Sequence, residues 1–226
     1  MKVLKPVVWT ALLLAISMNH LYAQKDWAAF ERYRQANQDL PAPLQGENRV
    51  VFMGDSITDA WPTDFFKNKP YFNRGISGQT TPQMLLRFRA DVINLKPKVV
   101  VILAGVNDLA GNTGPSTLEM ITDNIESMCE LATANQMKVI LCSVLPANNF
   151  PWRPSIQPAD KIIELNRKYQ NYANLKGHIY LDYYSPMVDA ENGLKSVYAS
   201  DAVHPNEEGY KVMEPLVEAA IKKALK

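Results

Sequence analysis

Val50-Val51-Phe52-Met53-Gly54-Asp55-Ser56-Ile57-Thr58-Asp59 decides how the rest of this 226-residue chain is read. An apolar run of strand character stops at Gly54, and a serine follows two residues later. Strand, sharp glycine turn, then serine is how an α/β protein lifts a hydroxyl to the carboxyl edge of its sheet. The ordinary alternative is a strand-end turn whose serine caps the next segment. Chemistry enters only if other stretches bring a base, an orienting carboxylate and oxyanion donors to the same edge.

Outward from that stretch, strand and helix patterns alternate. Strands are expected over residues 49–53, 71–73, 98–103, 137–144 and 178–182. The third and fourth are apolar throughout, as strands buried on both faces are. A helix starts at Thr81-Pro82 with Leu85, Phe88 and Val92 on one face. Ser116-Thr117-Leu118-Glu119 reads as a capping box ahead of Leu118, Ile121, Ile125, Met128 and Ala132 at helical spacing. A helix over about 159–175 stops at Gly177. The last one is capped by Asn206, turns Tyr210, Met213, Val217 and Ile221 inward, and should kink at Pro215. On the amino side, Asp26 is placed to cap a helix over about 26–38, with Trp27, Phe30, Tyr33 and Arg34 along one side. This alternation, without period-2 polarity in the strands, specifies a five-stranded parallel sheet covered by helices on both faces. Right-handed crossovers then put every strand's carboxyl end along one edge, so the turns holding Ser56, Gly78 and Asn107 converge there.

Composition agrees with one globular domain over residues 24–226. Hydrophobic residues make up 47% of the chain and charged ones 21%, with a net charge of +1. That balance points to neither a nucleic-acid nor an anionic-membrane partner. The first 23 residues read separately. Lys2 and Lys5 precede an apolar core over residues 7–18, too short to span a bilayer, and Ala23 closes a cleavage-like segment. A signal peptide over 1–23, export to a periplasmic or secreted location, and no stable membrane insertion after cleavage are the expectations. Removal of Lys2 and Lys5 turns 24 basic and 23 acidic residues into 22 and 23, and leaves only His178 and His204 as histidines. Cys129 falls in a helical pattern and Cys142 in a strand run, so two separate buried thiols are expected. They lack the company and spacing of a zinc site.

A serine hydroxyl needs a neighbouring base. His178 opens the fifth strand, at the edge of the sheet opposite the turns. His204 sits in a loop before Pro205, which keeps it out of the final helix. Asp201, three residues earlier, is close enough to hold the imidazole Nδ1–H, although Asp-x-x-His is also an ordinary turn pair. Oxyanion donors could come from the Ser56 N–H, the Gly78 N–H and the Asn107 side-chain amide; a plain turn glycine and a loop-capping asparagine are the alternatives.

Taken together, Gly54-Asp55-Ser56-Ile57, Gly75-Ile76-Ser77-Gly78-Gln79-Thr80, Gly105-Val106-Asn107-Asp108 and Asp201-Ala202-Val203-His204 resemble the four sequence blocks of the SGNH (GDSL-type) hydrolases. The resemblance covers about residues 49–222. Ile57 departs from it, standing where the family's name has leucine. The resemblance implies a flavodoxin-like three-layer α/β/α sandwich and a serine acyl hydrolase that needs no metal or other cofactor. It carries nucleophile onto Ser56, base onto His204, orienting acid onto Asp201, and oxyanion donors onto Ser56, Gly78 and Asn107. Asp55 holds the turn, and Asp182 is a rival acid for His204 with a structural role expected.

Substrate has to be read from loops. Asn148, Asn149, Phe150, Trp152 and Arg153 follow the fourth strand, beside the expected site. An aromatic, amides and a guanidinium suit a sugar face and its hydroxyls, so Asn148, Trp152 and Arg153 are candidate substrate contacts; a proline-stiffened surface loop is the alternative. A short-chain or O-acetyl esterase acting on carbohydrate is the leading expectation. A lysophospholipase or thioesterase for longer chains is the second, and a catalytically inactive binding module on the same fold is the third.

Overall fold

The computed structural model describes residues 26–226, so the signal-peptide reading of residues 1–23 lies outside the described residues. Five parallel strands, β1 (Val50–Gly54), β2 (Tyr71–Gly75), β3 (Val99–Leu103), β4 (Lys138–Cys142) and β5 (Ile179–Leu181), lie in the order β2-β1-β3-β4-β5. A short helix, α1 (Arg34–Asp39), precedes them. Four longer ones follow: α2 (Thr81–Asp91), α3 (Leu118–Ala134), α4 (Ala159–Lys176) and α5 (Glu207–Ala224).

Successive side chains of a strand point to opposite faces, and here both faces are dry. Val51, Met53, Val100, Ile102, Val139 and Leu141 join one core, shared with α2, α3 and α4. Val50, Phe52, Val99, Val101, Ile140 and Cys142 join the other, shared with α5. The result is the α/β/α sandwich. Phe52 centres the second core: its ring meets Trp61, Phe65 and Phe66 edge-on, at centroid distances of 5.8, 5.8 and 5.2 Å. Such pairs each contribute about 0.5–1.5 kcal/mol beyond the area they bury.

Helix ends follow local chemistry. The Thr80 N–H donates to Gln83 Oε1 at 3.0 Å, with Pro82 in the first turn of α2. Gly177 ends α4 in the left-handed region, and Asn206 Oδ1 accepts from the Gly209 N–H at 3.0 Å to start α5, which runs through Pro215.

Three expectations need correction. The amino-terminal helix is confined to α1: Ala29 has φ of 57°, which breaks the helix, and Asp26 accepts from the Glu31 N–H in a turn rather than capping. Trp27 and Phe30 are largely exposed, while Tyr33 is buried and donates its hydroxyl to the Gly75 carbonyl. The cap of α3 is Thr117, whose hydroxyl accepts from the Met120 N–H, not Ser116. Of the face expected for α2, Phe88 and Val92 are in the core, but Leu85 is only partly covered, and Met84, Arg87 and Asp91 are buried instead. Cys129 on α3 and Cys142 on β4 are separate buried thiols, both raised by burial. No helix among the described residues is long and apolar enough to cross a membrane.

Candidate active site

Strand order reverses between β1 and β3, and it is there that an open parallel sheet leaves a crevice beyond its carboxyl ends. Gly54 at the end of β1 lies level with Gly75 of β2 and Leu103 of β3. Ser56, Gly78 and Asn107 follow within a few residues of those ends. A Cβ on Gly54 would run into the Thr58 side chain and come within 2.8 Å of the Leu103 carbonyl oxygen. Only glycine lets the helical turn Ser56–Asp59 fold back over the strand. Asp55 caps that turn, its Oδ1 accepting from the Ile57 N–H at 3.0 Å. From α5 the Tyr210 hydroxyl donates to the Ile57 carbonyl at 2.7 Å, which fixes the turn from its other side.

Asp55 is a buried carboxyl whose Oδ2 has no hydrogen-bond partner among the described residues. Burial pushes it up to about 7, with the Ile57 N–H and the His204 imidazole pulling the other way. Asp108 is driven up to about 6, again by burial, although the Thr81 hydroxyl and N–H both donate to it and lower it. These two acids hold turns, as expected of Asp55.

Ser56 Oγ lies 2.9 Å from His204 Nε2, and His204 Nδ1 lies 2.8 Å from Asp201 Oδ2. An ionised carboxylate can only accept, so the imidazole proton is assigned to Nδ1 and Nε2 is left to accept from the serine hydroxyl. Asp201 Oδ1 accepts two backbone N–H groups, from Val203 at 2.7 Å and from His204 at 2.8 Å. Partial burial raises the Asp201 carboxyl, but the backbone and imidazole hydrogen bonds outweigh it and hold the group below the usual aspartate range. The loop is tied at its base, where Ala199 bridges Pro205 and the Ser200 N–H donates to the His204 carbonyl at 2.8 Å. Such a chain can take a proton from a hydroxyl as it attacks a carbonyl.

Donors for a developing oxyanion stand beside it. Gly78 has φ of 79°, with open space where a side chain would project. Neither its N–H nor that of Ser56 has a partner among the described residues. Asn107 is buried; its Nδ2 donates to the Gln79 carbonyl at 3.0 Å and its Oδ1 accepts from Asn112 Nδ2 at 2.9 Å. That pairing sets the amide's flip and leaves one of the two Nδ2 hydrogens uncommitted.

The other sequence candidates divide. Trp152 stacks on Phe150 at 5.4 Å and lies 6.3 Å from the His204 ring. Phe150 itself is fully buried, supporting the tryptophan instead of facing a ligand. Arg153 is exposed and reaches the Gly111 carbonyl at 3.5 Å; Asn148 turns to the Glu191 carbonyl, also at 3.5 Å. Asp182 accepts from the Ser185 N–H and hydroxyl, a local cap. His178 is partly buried beside Tyr172, and burial lowers its basicity. Asn112, Gln79 and Tyr210 also support the site, through their contacts with Asn107, Arg87 and the Ile57 carbonyl. Gln79 and Asn112 carry no signal beyond nearness to a glycine, and Tyr210 reads only as a core residue.

The family model described as the GDSL-like lipase/acylhydrolase family matches residues 52–212. An acetylxylan esterase from Xylanibacter ruminicola is 28% identical over 94% of this chain, which spans only 52% of that protein's length. Human platelet-activating factor acetylhydrolase IB subunit alpha2 is 28% identical over 76% of each chain. The crystal structure of a GDSL-like lipase from Bacteroides thetaiotaomicron superposes with a TM-score of 0.86 at 50% identity, covering 88% of this chain and all of that one.

Proposed function

The chain belongs to the GDSL-like lipase/acylhydrolase family, and we propose that it is a serine esterase working through Ser56, His204 and Asp201. The observation that carries this reading is the continuous hydrogen-bonded chain from the Ser56 hydroxyl through both nitrogens of His204 to Asp201. Ser56 Oγ attacks the ester carbonyl while its proton passes to His204 Nε2. The carbonyl oxygen becomes an oxyanion facing the N–H groups of Ser56 and Gly78 and the free Nδ2 hydrogen of Asn107. The imidazolium, held by Asp201, then protonates the departing alcohol, leaving an acyl-enzyme. Water, deprotonated by the same imidazole, attacks that acyl group and frees the acid and the serine.

The acyl group we assign is short, acetyl first, and the alcohol is a carbohydrate. Two things support this. Trp152 is exposed, and its ring lies 6.3 Å from that of His204, the group that protonates the leaving alcohol; flat aromatic surface suits a sugar ring. One relative, twice the chain's length, is named an acetylxylan esterase. The second reading is a lysophospholipase or thioesterase acting on longer acyl chains; the similarity to a platelet-activating factor acetylhydrolase favours only its non-carbohydrate alcohol, since that relative is itself named for acetyl release. Acetate release from acetylated xylo-oligosaccharides, set against a nitrophenyl ester series of increasing chain length, separates them. The carbohydrate reading expects acetylated sugar and nitrophenyl acetate to be the best substrates; preference for long chains overturns it. Export through residues 1–23 belongs to the same proposal. A mature amino terminus at Gln24 in protein recovered from the host supports it, and an intact Met1 overturns it.

A further inference from the structure

Arg87 is wholly buried and the proposed steps do not use it. Its guanidinium reaches three separate places. Nη2 donates to the Gly54 carbonyl at 3.2 Å, Nε to Gln79 Oε1 at 2.6 Å, and Nη1 to Asp91 Oδ2 at 3.0 Å. Gln79 is as well held: its Nε2 donates to the Ala28 carbonyl at 2.8 Å, and its own carbonyl accepts Asn107 Nδ2. A buried ion pair between Arg87 and Asp91 alone would be a weak source of stability, because desolvation offsets the attraction. What the planar fork adds is geometry, which a lysine's single ammonium could not supply. One guanidinium ties the end of β1, two residues before Ser56, to the residue that follows Gly78 and grips Asn107.

We propose that Gln79 and Arg87 are positioning residues for oxyanion stabilisation. Arg87 fixes the Gly54 and Gln79 positions relative to each other. Gln79 then takes one Nδ2 hydrogen of Asn107 and thereby aims the other at the substrate oxygen. Donors of this kind act only when aimed beforehand. The inference rests on the reading of Asn107 as an oxyanion donor, and its test separates the two.

The measurement is kcat and KM for nitrophenyl acetate, per competent site, with sites counted by complete labelling with a fluorophosphonate. Loss of folded protein lowers the count and leaves kcat per site unchanged; mispositioning lowers kcat per site. Asn107→Ala is expected to lower kcat about 100-fold with KM little changed. Gln79→Met, similar in length and without polar atoms, is expected to lower kcat by about tenfold or more. In an Asn107→Ala background the same Gln79→Met change should cost less than about twofold, since its target is already gone. Arg87→Lys should resemble Gln79→Met. If Gln79→Met gives no labelled protein, Gln79→Asn, one carbon too short to reach Arg87, takes its place. Full kcat per site with Gln79 replaced overturns the inference while leaving the site reading intact. An equally large loss in the Asn107→Ala background overturns it too. A harmless Asn107→Ala instead overturns the oxyanion reading on which it rests.

Discussion

Asp55→Asn has an effect whose sign and size follow from the structure. The Asp55 carboxyl is 1% exposed; one oxygen accepts the Ile57 N–H, and the other has no partner among the described residues. Burial, the largest influence on it, drives it up to about 7, whereas an aspartate in the unfolded chain titrates near ~3.9. Between those values the folded protein keeps a proton that the unfolded chain has released. Stability therefore falls as pH rises from about 4 to about 7 and is flat beyond. Three pH units correspond to about 4 kcal/mol, which is the ceiling on the effect. The asparagine amide keeps an acceptor for the Ile57 N–H and does not ionise, so the variant lacks this loss. Asp108, driven up to about 6 by burial, titrates in both proteins; its charge also raises Asp55, so the difference between the two proteins includes that coupling. Calorimetric unfolding of both proteins between pH 4 and 8 tests this. The variant should gain on the wild type in Tm over that range by at most about 8–16 °C, taking about 2–4 °C per kcal/mol for a domain of this size. Curves that run parallel across the range would refute the argument that burial holds a proton on Asp55.

The remaining predictions concern the base, the core and the loop. Asp201→Asn keeps an acceptor for the two backbone N–H groups but faces Nδ1 with an amide, which favours the wrong imidazole tautomer. Because the Asp201 and His204 side chains are 44% and 33% exposed, water replaces part of what is lost, and kcat should fall by about 10²–10³-fold instead of the ~10⁴ known for a fully buried triad. A loss below fivefold in steady-state kinetics contradicts the role. Phe52→Ala empties the centre of the second core and should cost about 3–5 kcal/mol in urea unfolding; a cost under about 1 kcal/mol contradicts the packing described. Trp152→Ala should raise KM for acetylated xylo-oligosaccharides by about 3- to 10-fold, the equivalent of a single aromatic contact, while leaving nitrophenyl acetate within about twofold. Equal effects on both substrates would remove the tryptophan from the sugar face.

Residues whose chemistry is local were legible in the sequence. The runs 49–53 and 98–103 read as strands, the second of them as one buried on both faces, and Gly54 reads as the stop of the first. The turns after β1, β2 and β3 had to share an edge because parallel crossovers allow nothing else. His204 was the histidine left on that side, and the structure puts it against Ser56. Residues whose role depends on a distant partner were hidden. Arg87 has no sequence signal of its own; only the fold brings Asp91, Gln79 and the Gly54 carbonyl around it. Trp27 and Phe30 suggested an inward stripe, but Ala29 turns left-handed and the helix begins five residues later. Ser116 and Thr117 are both good caps, and sequence gives no way to choose between neighbours a residue apart. Phe150 and Trp152 looked alike as loop aromatics; burial separates a support from a surface.

The central claim is that Ser56 carries the acyl group. Rapid quenching of the protein mixed with an activated aryl acetate, followed by peptide mass spectrometry, looks for that intermediate directly. The account predicts one acetyl group on the peptide containing Ser56, increased when deacylation is slowed, and none in Ser56→Ala, which should stay folded and lose turnover. Acetyl on another residue, or a Ser56→Ala protein that hydrolyses the ester at the wild-type rate, would contradict it.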